Sequence, residues 1–347
     1  MKPDKPINDM TRLQTVKNAL AQYTWLPIAC ATFAMAMVLS VVSDSFLSGA
    51  NFQSILVQAS VTAIMAVGMT FVICTAGIDI SVGAILFFTS ALFAQLMLLT
   101  DSYLVAFCVS MLCATLLGYV NGFLIVRFKI SPLITTLATY TMYRGMAIHL
   151  TEAKNIPVPR EMGFLGNGSL FGVPVPILLM LLVTAVGIYL LNSTRFGLYV
   201  RAIGNSAQSA QETNLPVSKI TILAYLTAGI TTGIAALILL ARVGGLQSGI
   251  GIGIEFTVIA AVVLGGTKLS GGTGTVLGSV IGAVFLVLID NGLNLLNASP
   301  YVYDIVKGVV LLIAVIIDKL SVTRQQQSVL QERAKRIRSA SQTLPTT

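Results

Sequence analysis

The chain has 347 residues, 55% of them hydrophobic and only 10% charged, with a formal net charge of +8 at pH 7. A water-exposed globular surface draws on roughly a quarter charged residues, so the composition excludes a soluble catalytic domain. It also argues against a nucleic-acid partner, because a positive excess is what membrane topology produces. Apolar blocks follow one another from Trp25 to Leu320 with short polar breaks. A helix needs roughly 20 apolar residues to cross a bilayer core of ~30 Å, and in lipid every backbone polar group must be satisfied within the protein. The expected fold is all-α, a polytopic transmembrane helical bundle with membrane lipid as its solvent.

In chain order, residues 1–24 are polar, of mixed charge and without the apolar core of a cleavable signal; they read as a cytoplasmic tail. About ten spans are expected across a single membrane domain, 25–320, near 25–42, 53–74, 82–99, 103–126, 131–150, 174–192, 219–240, 255–269, 273–291 and 301–318. The eighth is short, leaving 242–272 open as a broken or re-entrant segment. With both termini cytoplasmic, sixteen Lys and Arg fall inside and only Lys154, Arg160 and Arg242 outside, the asymmetry the positive-inside rule requires. Residues 321–347 form a basic cytoplasmic C-terminal tail. Cys30, Cys74, Cys108 and Cys113 all fall inside apolar spans and read as small buried hydrophobes. No metal and no cofactor is expected, since His149 is the only histidine.

Between spans two and three runs Gly77-Ile78-Asp79-Ile80-Ser81-Val82-Gly83, where Asp79 or Ser81 would cap the third helix. Span five carries Thr135, Thr136, Thr139, Tyr140 and Thr141, a polar lining or a set of hydroxyls bonded to their own backbone. The largest inner loop, 193–218, contains Arg201, Gly204 and Asn205. Asn205 is placed to cap a short helix with Gln208 three residues on, and Asn214 to end it in a left-handed turn before Pro216. Ala207 and Ala210 share one face of that helix. It is too polar for lipid and too short to stand alone. It reads as a docking helix for a cytoplasmic protein or as an ordinary helix in a connecting loop.

The run Gly265-Gly266-Thr267-Lys268-Leu269-Ser270-Gly271-Gly272 fails the phosphate-loop pattern, which needs Gly before Lys and Ser or Thr after it. It reads as a tight turn leading into Gly274, Gly278 and Gly282, spaced four apart for close helix packing, as Gly229 and Gly233 are in span seven. Near the outer ends of the spans lie Arg144, Glu255, Asp290, Asp304 and Lys307, with Asn291 and Asn294 beside them. Charges at such depth face a cavity or one another, so they form either the vestibule for a polar substrate or a charge network that fixes packing. Asp304 and Lys307 are three apart and able to pair.

Together these runs resemble the permease subunits of bacterial ATP-binding-cassette importers for monosaccharides, the ribose, xylose and arabinose permeases. The resemblance rests on Gly77 to Gly83, Val120-Asn121-Gly122, Ile134 to Thr139 with Arg144-Gly145, and Arg201-Ala202-Ile203-Gly204-Asn205. It continues through Val258 to Gly272, Asn291 to Asn297 and Val306-Lys307-Gly308. It implies a passive subunit of the bacterial inner membrane, not an enzyme. It also implies a cytoplasmic ATPase coupled through 204–214, a periplasmic sugar-binding protein, and a second permease subunit, identical or closely related. Two runs depart from the family pattern, Ser206 to Gln211 by lacking an acidic residue and Glu255-Phe256-Thr257 by lacking the usual second acid. The alternative from composition alone is an ion-coupled secondary transporter, though the acidic residues sit near the rims and no internal repeat is evident.

Overall fold

The structure, a computed structural model, describes residues 24–299, 301–316 and 319–320. The expected tails, Thr24 apart, lie outside the described residues. Each of the ten apolar blocks holds a helix. They are α1 (Leu26–Val42), α2 (Gly49–Cys74), α3 (Val82–Thr100), α4 (Tyr103–Phe128), α5 (Pro132–Thr151), α7 (Val175–Ser193), α10 (Val217–Val243), α11 (Ile254–Leu264), α12 (Val276–Leu295) and α13 (301–316). Short helices α6 (Gly163–Asn167), α8 (Arg195–Asn205) and α9 (Ala207–Glu212) sit in the loops. Antiparallel strand pairs tie β1 (Ile156–Pro157) to β4 (Gly245–Leu246) and β2 (Ser169–Leu170) to β3 (Val173–Pro174).

Among the described residues, six helices, α2, α3, α4, α7, α10 and α12, are long and apolar enough to cross a membrane. The eighth block differs: α11 has 11 residues, about 16 Å at 1.5 Å per residue, half of a bilayer core. Turns fill 248–253 before it, with Gly251 and Gly253 both at φ +79°.

Helix α2 is the axis of the bundle. Every residue from Ala59 to Cys74 is buried, as expected of a helix apolar on all sides, and α10, α12, α7 and α11 pack around it. Small residues set the closest approaches. A first side-chain carbon on Gly229 would lie 2.5 Å from the Ala114 carbonyl oxygen, and Gly118 faces Gly229 from α4. Gly278 and Gly282 of α12 lie against the backbone of Gly265 and Ala261 at α11. Gly274 differs from its expected place on that helix face: it precedes Thr275, whose side chain accepts from the Gly278 N–H and starts α12. The outside of the bundle is apolar, with Phe33, Leu104, Leu112, Leu182 and Leu312 all exposed. Cys30 and Cys108 belong to this exposed surface, not to the core as expected; Cys74 is buried.

Candidate functional site

At one end of the bundle, α8 lies across the C-terminus of α2. Thr194 starts α8, accepting from the Gly197 N–H, and its apolar face buries Gly197, Val200 and Ile203. Phe196 stacks on Phe71 of α2 with centroids 5.4 Å apart. Gly204 faces both the Cys74 carbonyl and the Gly272 nitrogen so closely that a first side-chain carbon would overlap them. The Gly272 N–H in turn donates to the Cys74 carbonyl at 3.0 Å. Arg201 donates to Asn192 Oδ1 at 2.7 Å and reaches the Gly274 carbonyl at 3.5 Å. Three chain segments thus meet backbone to backbone: the end of α8, the end of α2 and the glycine turn 271–274.

Helix α9 follows at once. Its cap is Ser206, which accepts from the Ser209 N–H at 3.1 Å; Asn205, the expected cap, is the last residue of α8. Gln208 pairs forward with Glu212 at 3.1 Å instead of back to a cap. Asn214 does take the left-handed conformation, φ +57°. Ala210 is buried while Ala207, Gln208, Ser209, Gln211 and Glu212 are exposed, so the outer face is polar and small.

The segment 75–81 leaves α2 and enters the bundle in turn and irregular conformations, where side chains satisfy its backbone. Thr136 Oγ1 accepts from the Ile80 N–H at 3.2 Å, and Tyr225 donates to the Ile78 carbonyl at 3.4 Å. Asp79, fully buried, accepts from the Ser81 N–H at 2.9 Å and the Ser81 hydroxyl at 2.6 Å. Asn121 donates to Ser81 Oγ at 2.7 Å, and Tyr143 donates to Asn121 Oδ1 at 3.2 Å. Neither Asp79 nor Ser81 caps α3 as expected: Ser81 stands at the cap position but makes no side-chain cap bond. The carboxylate serves the turn before it.

Toward the other end of α2 lies a cavity of about 580 Å³. It is lined by Gln58 and Thr62 of α2, Arg242 of α10, Asp290 of α12, and Asp304 and Lys307 of α13. Lys307 pairs with Asp290 at 3.0 Å, not with Asp304 three residues away. The segment Gly251–Ile254 and Phe256 close one wall. The other charged and polar candidates stand elsewhere. Asn291 pairs with Asn51 through two hydrogen bonds of 2.7 and 3.2 Å, fastening α12 to α2. Asn294 is exposed. Arg144 donates to the Ser248 carbonyl at 2.8 Å, with its guanidinium 4.8 Å from the centre of the Phe87 ring. Glu255 is buried on the side of α11 that meets Gly83. Thr136 and Thr139 are buried and Thr141 is exposed, so the span-five hydroxyls do not form one lining. From sequence, Cys74 reads only as a small buried hydrophobe and Arg242 only as an outer basic residue, while Gln58 and Thr62 are not singled out at all.

The chain's residues 51–315 match a family described as branched-chain amino acid transport system / permease component. The ribose import permease protein of Escherichia coli (strain K12) is 38% identical over 297 residues, 83% of this chain and 91% of that protein. The ribose import permease protein of Bacillus subtilis (strain 168) is 38% identical over 290 residues, 83% of this chain and 90% of its own length. The L-arabinose transport system permease protein of Escherichia coli (strain K12) is 35% identical over 301 residues, covering 86% and 89%. No solved structure matches. The apolar bundle, the half-length α11 and a match running through nearly all the helices lead to one conclusion: the chain belongs to this family of transport permease components, as a multi-pass subunit of the bacterial inner membrane and not an enzyme.

Proposed function

We propose that the chain is the transmembrane subunit of an ATP-binding-cassette importer for a monosaccharide. The ribose and arabinose permeases similar to it over more than four-fifths of its length support the substrate class. A separate cytoplasmic ATPase supplies energy, a periplasmic binding protein delivers the sugar, and a second permease subunit completes the pathway. In this reading all ten helices cross or enter the membrane, and both tails, 1–24 and 321–347, are cytoplasmic. The positive-inside count supports that orientation.

The observation that carries the mechanism is the three-way backbone junction of Gly204, Cys74 and Gly272. The exposed face of α9 meets the ATPase. Force on it passes through α8 into the end of α2, because no side chain lies between Gly204 and the Cys74 carbonyl to absorb it. Cys74 and Thr62 are twelve residues apart on α2, about 18 Å of rigid helix, and Thr62 lines the cavity. Movement of α2 therefore reaches the cavity directly, in addition to any movement of α7 and α10, which flank the loop. The cavity carries two acidic and two basic side chains, Asp290, Asp304, Lys307 and Arg242, so it has no net charge to repel a neutral sugar and many groups to exchange hydrogen bonds with hydroxyls.

A second reading, import of an amino acid, is favoured by the description of the matched family and by the same four charges, which suit a zwitterion. Proteoliposomes containing the permease, its ATPase and its binding protein decide between them. ATP-dependent uptake of labelled ribose or arabinose, unaffected by an uncoupler, is the expected result. Uptake of leucine alone would move the substrate to the second reading. Uptake that persists without ATP and collapses with the uncoupler would make the protein an ion-coupled transporter.

A further inference from the structure

Arg144 and Glu255 come from different segments and meet along one face of α3. A first side-chain carbon on Gly83 would overlap Glu255 Oε2, and the Phe87 ring lies under the Arg144 guanidinium. Gly83 and Phe87 are four residues apart, so the acid and the base rest on successive turns of one face of α3. They do not pair. Glu255 is 3% exposed and its Oε2 has no hydrogen-bond partner; the buried Nη1 of Arg144 has none either. Each orphaned atom of opposite charge is costly to bury, and charged groups at membrane depth usually mark a solute path.

The location connects this pair to the cavity. Arg144 holds the Ser248 carbonyl, and the residues between Ser248 and Glu255 include Gly251, Ile252, Gly253 and Ile254, which form a wall of the cavity. That wall is turn structure with Gly251 and Gly253 in the left-handed region. We infer that Arg144 and Glu255 form a second solute-binding point behind this wall, bridged by adjacent hydroxyls of a neutral polyol. One hydroxyl donates to Glu255 Oε2, and the oxygen of the next accepts from Arg144 Nη1. The inference rests on the sugar-importer reading and names the residues that grip the sugar after the cavity.

The test uses the complete importer in proteoliposomes, with D-ribose and a set of its monodeoxy analogues as probes. The wild type should reject at least one analogue by about tenfold or more, the usual penalty for leaving a buried polar partner unmatched. Glu255→Gln and Arg144→Gln should each lower ribose kcat/KM by about tenfold and narrow discrimination at that hydroxyl. Uptake is read per assembled complex, so that a loss of folded importer is not counted as a loss of binding. The two substitutions combined should cost little more than either one, as one bridging ligand requires. Normal ribose uptake by both variants overturns the proposal, and so does reduced uptake with discrimination fully retained, which would mean a water-bridged structural pair. Should Glu255→Gln fail to assemble, Arg144→Gln and Arg144→Lys carry the same comparison. A wild type that transports no monosaccharide would instead overturn the underlying reading of substrate class.

Discussion

Gly204 and Cys74 are in contact through backbone alone: the α-carbon of one faces the carbonyl oxygen of the other with no space for a methyl group between them. That oxygen also accepts from the Gly272 N–H at 3.0 Å. Gly204→Ala should push α8 away from α2 and strain this hydrogen bond, costing about 1–3 kcal/mol as overpacking does. Gly204→Trp should separate the two helices outright. The expected outcome is ATP hydrolysis that continues while sugar uptake falls, read as the ratio of sugar transported to ATP consumed. Normal coupling in a well-expressed Gly204→Trp protein would remove this junction from the mechanism.

The contact between α11 and α12 depends on the same kind of approach. Side chains at Gly278 and Gly282 would overlap the carbonyls of Gly265 and Ala261. Backbone cannot yield as a flexible side chain can, so Gly282→Val should cost at least about 1–3 kcal/mol. Gly145 provides the control, since nothing lies within 4 Å of a carbon added there. Gly145→Ala should leave the thermal midpoint in detergent unchanged or slightly higher, because alanine is the better helix former. Equal midpoints for the two variants would contradict the packing described.

How far the sequence foretold this arrangement depends on the range of the interaction. Helix positions are legible because lipid demands a continuous apolar block, and each of the ten blocks holds a helix. The half-length of α11 is legible only as a doubt about 242–272, because apolar residues read alike whether a helix spans or stops midway. Local pairings mislead where a distant partner competes. Lys307 turns from Asp304 to Asp290, the neighbour that α12 brings within 3.0 Å. Asp79, expected to cap α3, is held by the Ser81–Asn121–Tyr143 chain, of which Asn121 and Tyr143 come from α4 and α5. Ser206 caps α9 in place of Asn205 because α8 keeps its helical turn one residue longer. No spacing rule could place Cys74 beside Gly204, 130 residues away.

The Lys307–Asp290 pair is partly shielded, with the two side chains 27% and 23% exposed. Removing one partner should cost more than removing both, since a lone charge is then left at the cavity wall. Lys307→Met and Asp290→Leu should each reduce the yield of folded protein, and the double substitution should recover part of the loss. The comparison is a double-mutant cycle on the thermal midpoint. Additive losses would mean that the two charges act independently.

The buried Asp79 network gives the sharpest contrast between substitutions. Asp79→Ala orphans the Ser81 N–H and removes the acceptor of its hydroxyl, in a place closed to water. One unsatisfied buried group costs about 1–3 kcal/mol, and the irregular segment 75–81 has few other ties to α4 and α5. Asp79→Asn keeps an oxygen where Oδ1 stands and adds an N–H₂ where Oδ2 has no partner, so it should be milder than alanine but still below the wild type. Asn121→Leu should cost less than Asp79→Ala, because Tyr143 keeps its bond to the Leu117 carbonyl and Ser81 keeps its bond to Asp79. Because Asp79 and Asn121 act through the shared Ser81 hydroxyl, the Asp79→Ala, Asn121→Leu pair should be less destabilised than the sum of the single losses. Thermal unfolding of all four proteins in one detergent measures this. Strict additivity would show that Ser81 does not couple the segment to α4, and that the entry of 75–81 into the bundle is held by Thr136 and Tyr225 alone.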